Sequence, residues 1–313
     1  PGCGPRDRFS ADRQVDRERG GVVSAMLEGV VVFDASGGAA GIIMKQVLRN
    51  APHIDAFYVN AEPDGTFALH DPNPLAPRAM ETLSSVVVRR RSDVGIIFDA
   101  DGDRMFAVDN NGRIIDPDVV AYFLATYLKP KTIVHDLNTG FLIRKGLKLE
   151  LGTKMKEERV GHYFIKKTMR KMNAGLGVEH SGHYYFKDFF FCDSGLFAAV
   201  SFLSAMSRLP YRLSDFISFL PPVFRIPETN FKMKRGHERA VVALNQSLAR
   251  LYPKRISRRD GLRMEFNDWW FSVRPSNTEP LIRLNLEASG EKELKEKEAL
   301  VARILRPFTA GRA

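Results

Sequence analysis

The sequence predicts an α/β protein: two consecutive α/β/α domains on mixed sheets, followed by a smaller α+β domain. Three observations predict it. Short apolar runs that end in a carboxylate and a turn, at 29–34 and 93–99, alternate with stretches of helical apolar spacing. The Pro221-Pro222 pair interrupts that alternation, and beyond it strand-like runs follow one another. A chain of 313 residues, 44% of them hydrophobic, is long enough for two or three separate cores.

Residues 1–21 are rich in Arg, Asp and Gly and poor in large apolar side chains, so a disordered leader is expected there. Gly29-Val-Val-Val-Phe-Asp34 reads as a buried strand, with a glycine-rich turn and a helix through Met44 to Leu48 behind it. Asp71-Pro-Asn-Pro-Leu-Ala-Pro77 reads as a rigid, extended connector. Asp93–Asp99 is a second buried strand, and Asn110-Asn111-Gly112 marks a hairpin between 104–109 and 113–115. Asp116-Pro117 opens a helix with apolar positions Val119, Val120, Phe123, Leu124, Tyr127 and Leu128. A strand is expected at Thr132–His135, and Asp193 is expected to cap a buried helix from Gly195 to about Arg208. After the proline pair come a helix near 238–251, strands near 262–266, 269–273 and 281–287, and a charged helix from Glu291. The expected divisions are the leader 1–21 and domains at 22–115, 116–222 and 223–313.

The net charge of +10 suits anionic partners without choosing among sugar phosphates, nucleic acid and acidic lipid. No basic stripe with interleaved aromatics points to nucleic acid. No apolar run approaches the ~20 residues of a membrane span, and the first residues show no apolar signal segment. Two cysteines, Cys3 and Cys192, form neither a disulfide framework nor a zinc motif. A cytoplasmic protein is expected.

Asp99-Ala-Asp101-Gly-Asp103-Arg104 follows a buried strand directly. Carboxylates at alternate positions around a glycine can converge on one hard cation such as magnesium. An EF-hand would need Gly at its sixth position and Glu at its twelfth, where this chain has Arg104 and Asn110. An aspartyl nucleophile at Asp99 and an acidic turn holding no ion remain the alternatives. Further on, Gly175-Leu-Gly-Val-Glu179-His-Ser181-Gly182-His183 offers Glu179 and Ser181 to sugar hydroxyls and His183 to proton transfer. His162 precedes another helix. Near the C-terminus, Arg274-Pro-Ser276-Asn277-Thr278-Glu279-Pro280 lies between strand-like runs. Its donors, with Arg274 and Arg283, match phosphate oxygens, and Glu279 is expected to brace the loop or pair an arginine.

These three motifs, in this order and at domain-scale spacing, resemble the α-D-phosphohexomutases, the phosphomannomutase/phosphoglucomutase family. The resemblance runs from about Val22 to the C-terminus and covers domains 2–4 of that family. It implies magnesium at Asp99, Asp101 and Asp103, and Arg104 beside the phosphoserine. It further implies hydroxyl contacts from Glu179 and Ser181, and His162 and His183 at the reacting centre. Arg274, Ser276, Asn277, Thr278 and Arg283 would hold the phosphate that is not transferred. The implied substrate is a hexose 1- or 6-phosphate.

Two departures stand out. The family's serine lies in a Thr-Ala-Ser-His-Asn-Pro type segment of domain 1, and no such segment occurs in these residues. Asn138 falls where the family often carries Lys or Arg. The expectation is therefore a phosphohexomutase chain without its phosphoserine domain, inactive alone. The alternatives are a non-catalytic sugar-phosphate binder and one half of a split mutase completed by a separate domain 1.

Overall fold

A computed structural model of the protein describes residues 29–234, 236–276 and 279–312; the leader expected at 1–21 and the site residues Asn277 and Thr278 fall outside them. The chain gathers into two compact units. Among the described residues, the first comprises 29–134, Phe141–Lys156 and Lys166–Leu220; the second comprises His135–Gly140, Glu157–Ile165 and the described residues from Pro221 onward.

The first unit opens with β1 (Gly29–Asp34), α1 (Ala40–Val47), β2 (Ile54–Val59), α2 (Glu81–Arg90), β3 (Val94–Phe98), β4 (Met105–Asp109) and β5 (Ile114–Ile115). Its sheet runs β2-β1-β3-β4-β5. β1 is parallel to β2 and β3, while β4 and β5 are antiparallel. All of β3 and nearly all of β1 are buried, which explains why they read as unbroken apolar runs rather than alternating ones. The chain leaves β1 to one side for β2 and re-enters on the other side as β3. Their carboxyl ends thus flank a topological switch point, where open α/β sheets place ligands.

The Asp71–Pro77 segment is not extended. The Asp71 side chain accepts from Asn73 N at 2.8 Å and the Asn73 side chain from Leu75 N at 3.2 Å, while Ala76 N bonds back to Asn73 O. These side-chain turns fold the segment in spite of its prolines.

A second sheet follows: α3 (Pro117–Leu128), β6 (Thr132–His135), a π-helical stretch at Leu142–Leu147, α4 (Lys148–Leu151), β7 (Lys154–Glu157), α5 (His162–Met172), β8 (Leu176–Val178), β9 (Tyr184–Phe186), β10 (Cys192–Asp193), α6 (Gly195–Met206) and α7 (Leu213–Phe219). Its order is β10-β9-β8-β6-β7. Asp116 caps α3 by accepting from Asp118 N at 2.8 Å, with Pro117 in the first turn. For α6 the expected cap is corrected. Ser194, in extended conformation, accepts from Phe197 N at 3.1 Å; Asp193 is one residue too early and belongs to β10. Phe33 and Phe98 from the first sheet share one apolar core with Ile133 and Tyr184 from the second and with Phe123 and Phe202 from α3 and α6.

The second unit is an antiparallel sheet with helices on one face: β11 (Phe224–Arg225), β12 (Thr229–Met233), α8 (Glu238–Ala249), β13 (Arg255–Ser257), β14 (Leu262–Glu265), β15 (Trp269–Pro275), β16 (Leu281–Ala288), α9 (Glu291–Leu305) and β17 (Thr309–Arg312). Alternate residues Met264, Phe271, Val273, Leu284 and Leu286 pack on Leu244, Leu248, Val301 and Leu305 of the helices. The opposite face carries Arg263, Trp270, Ser272, Arg274, Arg283 and Glu287. There the Arg263 guanidinium lies 3.6 Å from the Trp270 ring centroid, and Arg225 pairs with Glu287 at 2.5 Å. Among the described residues, no helix is long and apolar enough to cross a membrane.

Candidate active-site loops

The acidic loop leaves β3 at Phe98. Gly102 adopts φ +77°, which lets the loop turn back so that Asp99, Asp101 and Asp103 bring oxygens within 4.8 Å of one another. Gly102 N and Arg104 N both donate to Asp99 Oδ1 at 3.1 Å, and Arg104 Nε donates to Asp99 Oδ2 at 2.5 Å. The Arg104 guanidinium is also held by Asn73 Oδ1 at 3.0 Å. Burial pushes the Asp99 carboxyl up, against the pull of Arg104. A carboxylate whose ionised form is costly, beside two others in an all-oxygen set, fits a hard divalent cation well.

The middle loop is shorter than its sequence suggests. Leu176–Val178 and Tyr184–Phe186 pair as antiparallel strands, so only residues 179–183 turn. The turn closes through Glu179 N to His183 O at 3.0 Å and Gly182 N to Glu179 O at 3.1 Å. Gly182 has φ +89°, and a Cβ there would lie 2.5 Å from the Phe106 ring, so no other residue fits without displacing it. Glu179 is buried and accepts a short hydrogen bond from the Tyr185 hydroxyl.

The structure joins these two loops. Arg104 and His183 form an antiparallel bridge, and Met105 N donates to Gly182 O at 3.0 Å. Gly195 N, at the start of α6, donates to Gly102 O at 3.0 Å. The His183 ring stands between them: Nε2 is 3.5 Å from Asp103 Oδ1, and Nδ1 is 2.8 Å from Ser181 Oγ and 3.8 Å from Glu179 Oε2. Burial pushes the imidazole down. The hydrogen bond to Asp103 and the charges of Glu179, Asp103 and Asp193 outweigh it and leave the group raised. The same hydrogen bond from His183 holds Asp103 lowered.

The remaining candidates lie in the second unit. His162 is exposed at the first position of α5. Arg274 on β15 stands directly opposite Arg283 on β16. Like charges in that position repel. The Nε atoms of both are buried without a hydrogen-bond partner among the described residues, and Arg283 Nη1 meets Glu228 Oε1 at 3.1 Å. Glu228 thus pairs Arg283, while Glu279 is exposed. The reason is register: Glu228 sits beside Thr229, which pairs with Leu284 next to Arg283. Ser276 N bonds to Leu281 O at 2.9 Å, which shapes the loop between the two strands. Asn138 is buried, and its Oδ1 accepts from Ser272 Oγ at 2.8 Å.

Sequence reasoning did not single out Asn73, Tyr185, Lys166 or Glu228, and misassigned Asp193. The Asn73 signal was present in the Pro-Asn-Pro turn; the others act through contacts distant in sequence.

Three family models match consecutive stretches: phosphoglucomutase/phosphomannomutase α/β/α domain II over residues 21–112, α/β/α domain III over 116–223, and the C-terminal domain over 228–304. The chain belongs to the phosphoglucomutase/phosphomannomutase family. It is 33% identical over 285 residues to a phosphomannomutase of Methanocaldococcus jannaschii, covering 90% of this chain and 62% of the relative. It is 32% identical over 280 residues to a probable phosphoglucosamine mutase of Methanocella arvoryzae, covering 88% and 62%. A crystal structure of a family protein from Burkholderia thailandensis superposes with a TM-score of 0.77 at 26% identity, covering 89% of this chain and 60% of that one. The chain thus spans about three fifths of the length of the relatives it matches.

Proposed function

We propose that each of these loops serves sugar-phosphate binding in a phosphohexomutase that interconverts hexose 1-phosphate and hexose 6-phosphate. The observation that carries this reading is the Arg104–His183 bridge, which ties a hard-cation loop to a loop bearing hydroxyl-binding side chains. Magnesium at Asp99, Asp101 and Asp103 would supply charge neutralisation for a transferring phosphoryl group. Arg104, steadied by Asp99 and Asn73, would turn its guanidinium toward that group. Glu179 and Ser181 would accept and donate hydrogen bonds at the sugar hydroxyls. His183 would hold or release a proton at a ring nitrogen, and His162 would line the reacting centre. The opposed Arg274 and Arg283, with Ser276, Asn277 and Thr278, would hold the phosphate that is not transferred. An anion there would relieve the repulsion between the two guanidiniums. The setting is cytoplasmic sugar-phosphate metabolism.

The reaction also needs a phosphoryl carrier. No serine segment of the family's type occurs in these residues, so by themselves they are expected to bind the sugar phosphate without turning it over. A separate serine-bearing domain is the partner that would restore the reaction. The test uses mannose 1-phosphate and glucose 1-phosphate with a hexose 1,6-bisphosphate activator. The expected result is binding with negligible turnover. Robust turnover would refute the inactivity, and no binding of either ester would refute the site.

A further inference from the structure

We propose that Tyr185 is a positioning residue: its hydroxyl holds one carboxylate oxygen of Glu179, so that the other is presented in a fixed direction to a hydroxyl of the bound sugar. The inference rests on the reading above, which gives Glu179 the sugar hydroxyls, and adds to it the residue that aims this acceptor.

The sheet brings the two side chains together. Tyr185 stands opposite Gly177 in the β8–β9 pair, and Glu179 N donates to His183 O at 3.0 Å, which carries the same register past the end of β8. Glu179, two residues beyond Gly177, is therefore the diagonal neighbour of Tyr185 on one face. The flanking Tyr184 and Phe186 turn to the opposite face and join the apolar core. The Tyr185 hydroxyl donates to Glu179 Oε2, and the same oxygen lies 3.8 Å from His183 Nδ1. The His183 ring stacks beside that of Tyr185, with centroids 6.3 Å apart and planes 26° apart. Lys166 Nζ, paired with Asp193 Oδ1 at 2.7 Å, lies 5.9 Å from the Tyr185 centroid.

Tyr185 acts here only as a donor. It is fully buried, and burial together with the charge of Glu179 pushes the phenol well above its ordinary range, so the hydroxyl keeps its proton. Glu179 is buried as well, and a buried carboxylate is costly without donors. The bond to Oε2 fixes the plane of the carboxylate and with it the direction of Oε1. Turning that oxygen away would break a charge-assisted hydrogen bond. A phenylalanine ring would fill the same space and leave the carboxylate free to rotate.

The experiment titrates this chain with mannose 1-phosphate by calorimetry, for the wild type, Tyr185→Phe, Glu179→Gln and the double variant. Tyr185→Phe keeps the ring and removes the donor, and ester affinity falls about tenfold, the scale of one charge-assisted hydrogen bond. In Glu179→Gln the Tyr185 hydroxyl holds the amide oxygen and turns the NH₂ group toward the sugar, so the ester again binds about tenfold more weakly. Adding Tyr185→Phe to Glu179→Gln then costs no more than about twofold, because the released amide can turn its oxygen back to the sugar hydroxyl. A tenfold loss from Tyr185→Phe in both backgrounds would mean that Tyr185 acts by packing alone and would overturn the proposal. Unchanged affinity in Tyr185→Phe would overturn it too. Should Tyr185→Phe fail to fold, Glu179→Gln supplies the answer: a tenfold loss supports the proposal, and full affinity would show that no orientation is imposed on the side chain. A wild type that binds no ester sinks the functional reading and this inference together; one that binds it, with any of the overturning results in the variants, sinks the inference alone.

Discussion

The acidic-loop region and the opposed arginines of β15 and β16 handle concentrated charge in opposite ways. Around the acidic loop, Asp99 receives two backbone donors and a guanidinium, and Asp103 has the His183 ring. The loop is assembled by its own hydrogen bonds before any ligand arrives. On the β15–β16 pair, two guanidiniums face each other with both Nε atoms buried and unpartnered among the described residues. Like charges opposed there cost some stability, which an oxyanion bound as proposed would offset. Read as proposed, one region would be a preorganised support for a cation, and the other a receptor whose like-charge repulsion an anion would relieve.

The largest effect that could break this contrast lies at Gly182. Gly182→Ala places a methyl group 2.5 Å from Phe106 at a left-handed φ, and should cost about 2–4 kcal/mol in urea unfolding. An unchanged midpoint would mean that the junction of the two loops is not rigid. Next comes Asp103→Asn, expected to weaken Mn²⁺ by at least the roughly tenfold to hundredfold seen for lost outer-shell partners. Calorimetry that shows no change would remove the cation from the acidic loop.

Arg274→Ala sharpens the comparison because it should move two quantities in opposite directions. Hexose phosphate binding should fall by about tenfold to a hundredfold, while the unliganded chain gains about 0.2–1 kcal/mol as cross-strand repulsion disappears. A variant that loses stability as well would show that the pair is not strained.

The smallest effect concerns Asp34, which is fully buried against His70 at 3.1 Å and raised above 3.8 by that burial. A raised carboxyl binds its proton more tightly in the folded state, so its contribution to stability falls as pH rises from about 3.8 through the folded value. Asp34→Asn should flatten that part of the urea midpoint against pH. An unchanged slope would mean that another group sets it.

Much of the fold could be read from the chain because its period is local. Strands buried on both faces are continuous apolar runs, and the Trp269-Trp-Phe-Ser-Val-Arg274 alternation separates the core face from the polar face residue by residue. What escaped depends on three-dimensional neighbours. β2 has a mixed burial pattern and carries no clean period. The connector at Asp71 bends through side-chain turns that its prolines conceal. The convergence of the acidic triad was legible because its carboxylates are two residues apart in sequence. Asp193 was read as a cap because nothing in the sequence brings it near Lys166 or His183, 27 and 10 residues away. Asn138 looked like a lost positive charge, yet it is a buried acceptor for Ser272.

That last contact bears on any attempt to dissect the protein. Arg263 of β14 donates to the carbonyls of Leu137 and Thr139, so a short piece from the middle of the chain is built into the C-terminal fold. A fragment cut at the proline pair would take the guanidinium and leave both oxygens behind. Domain swaps between family members should therefore carry residues 135–140 along with the last ninety or so, or exchange a graft that matches for one that only resembles it.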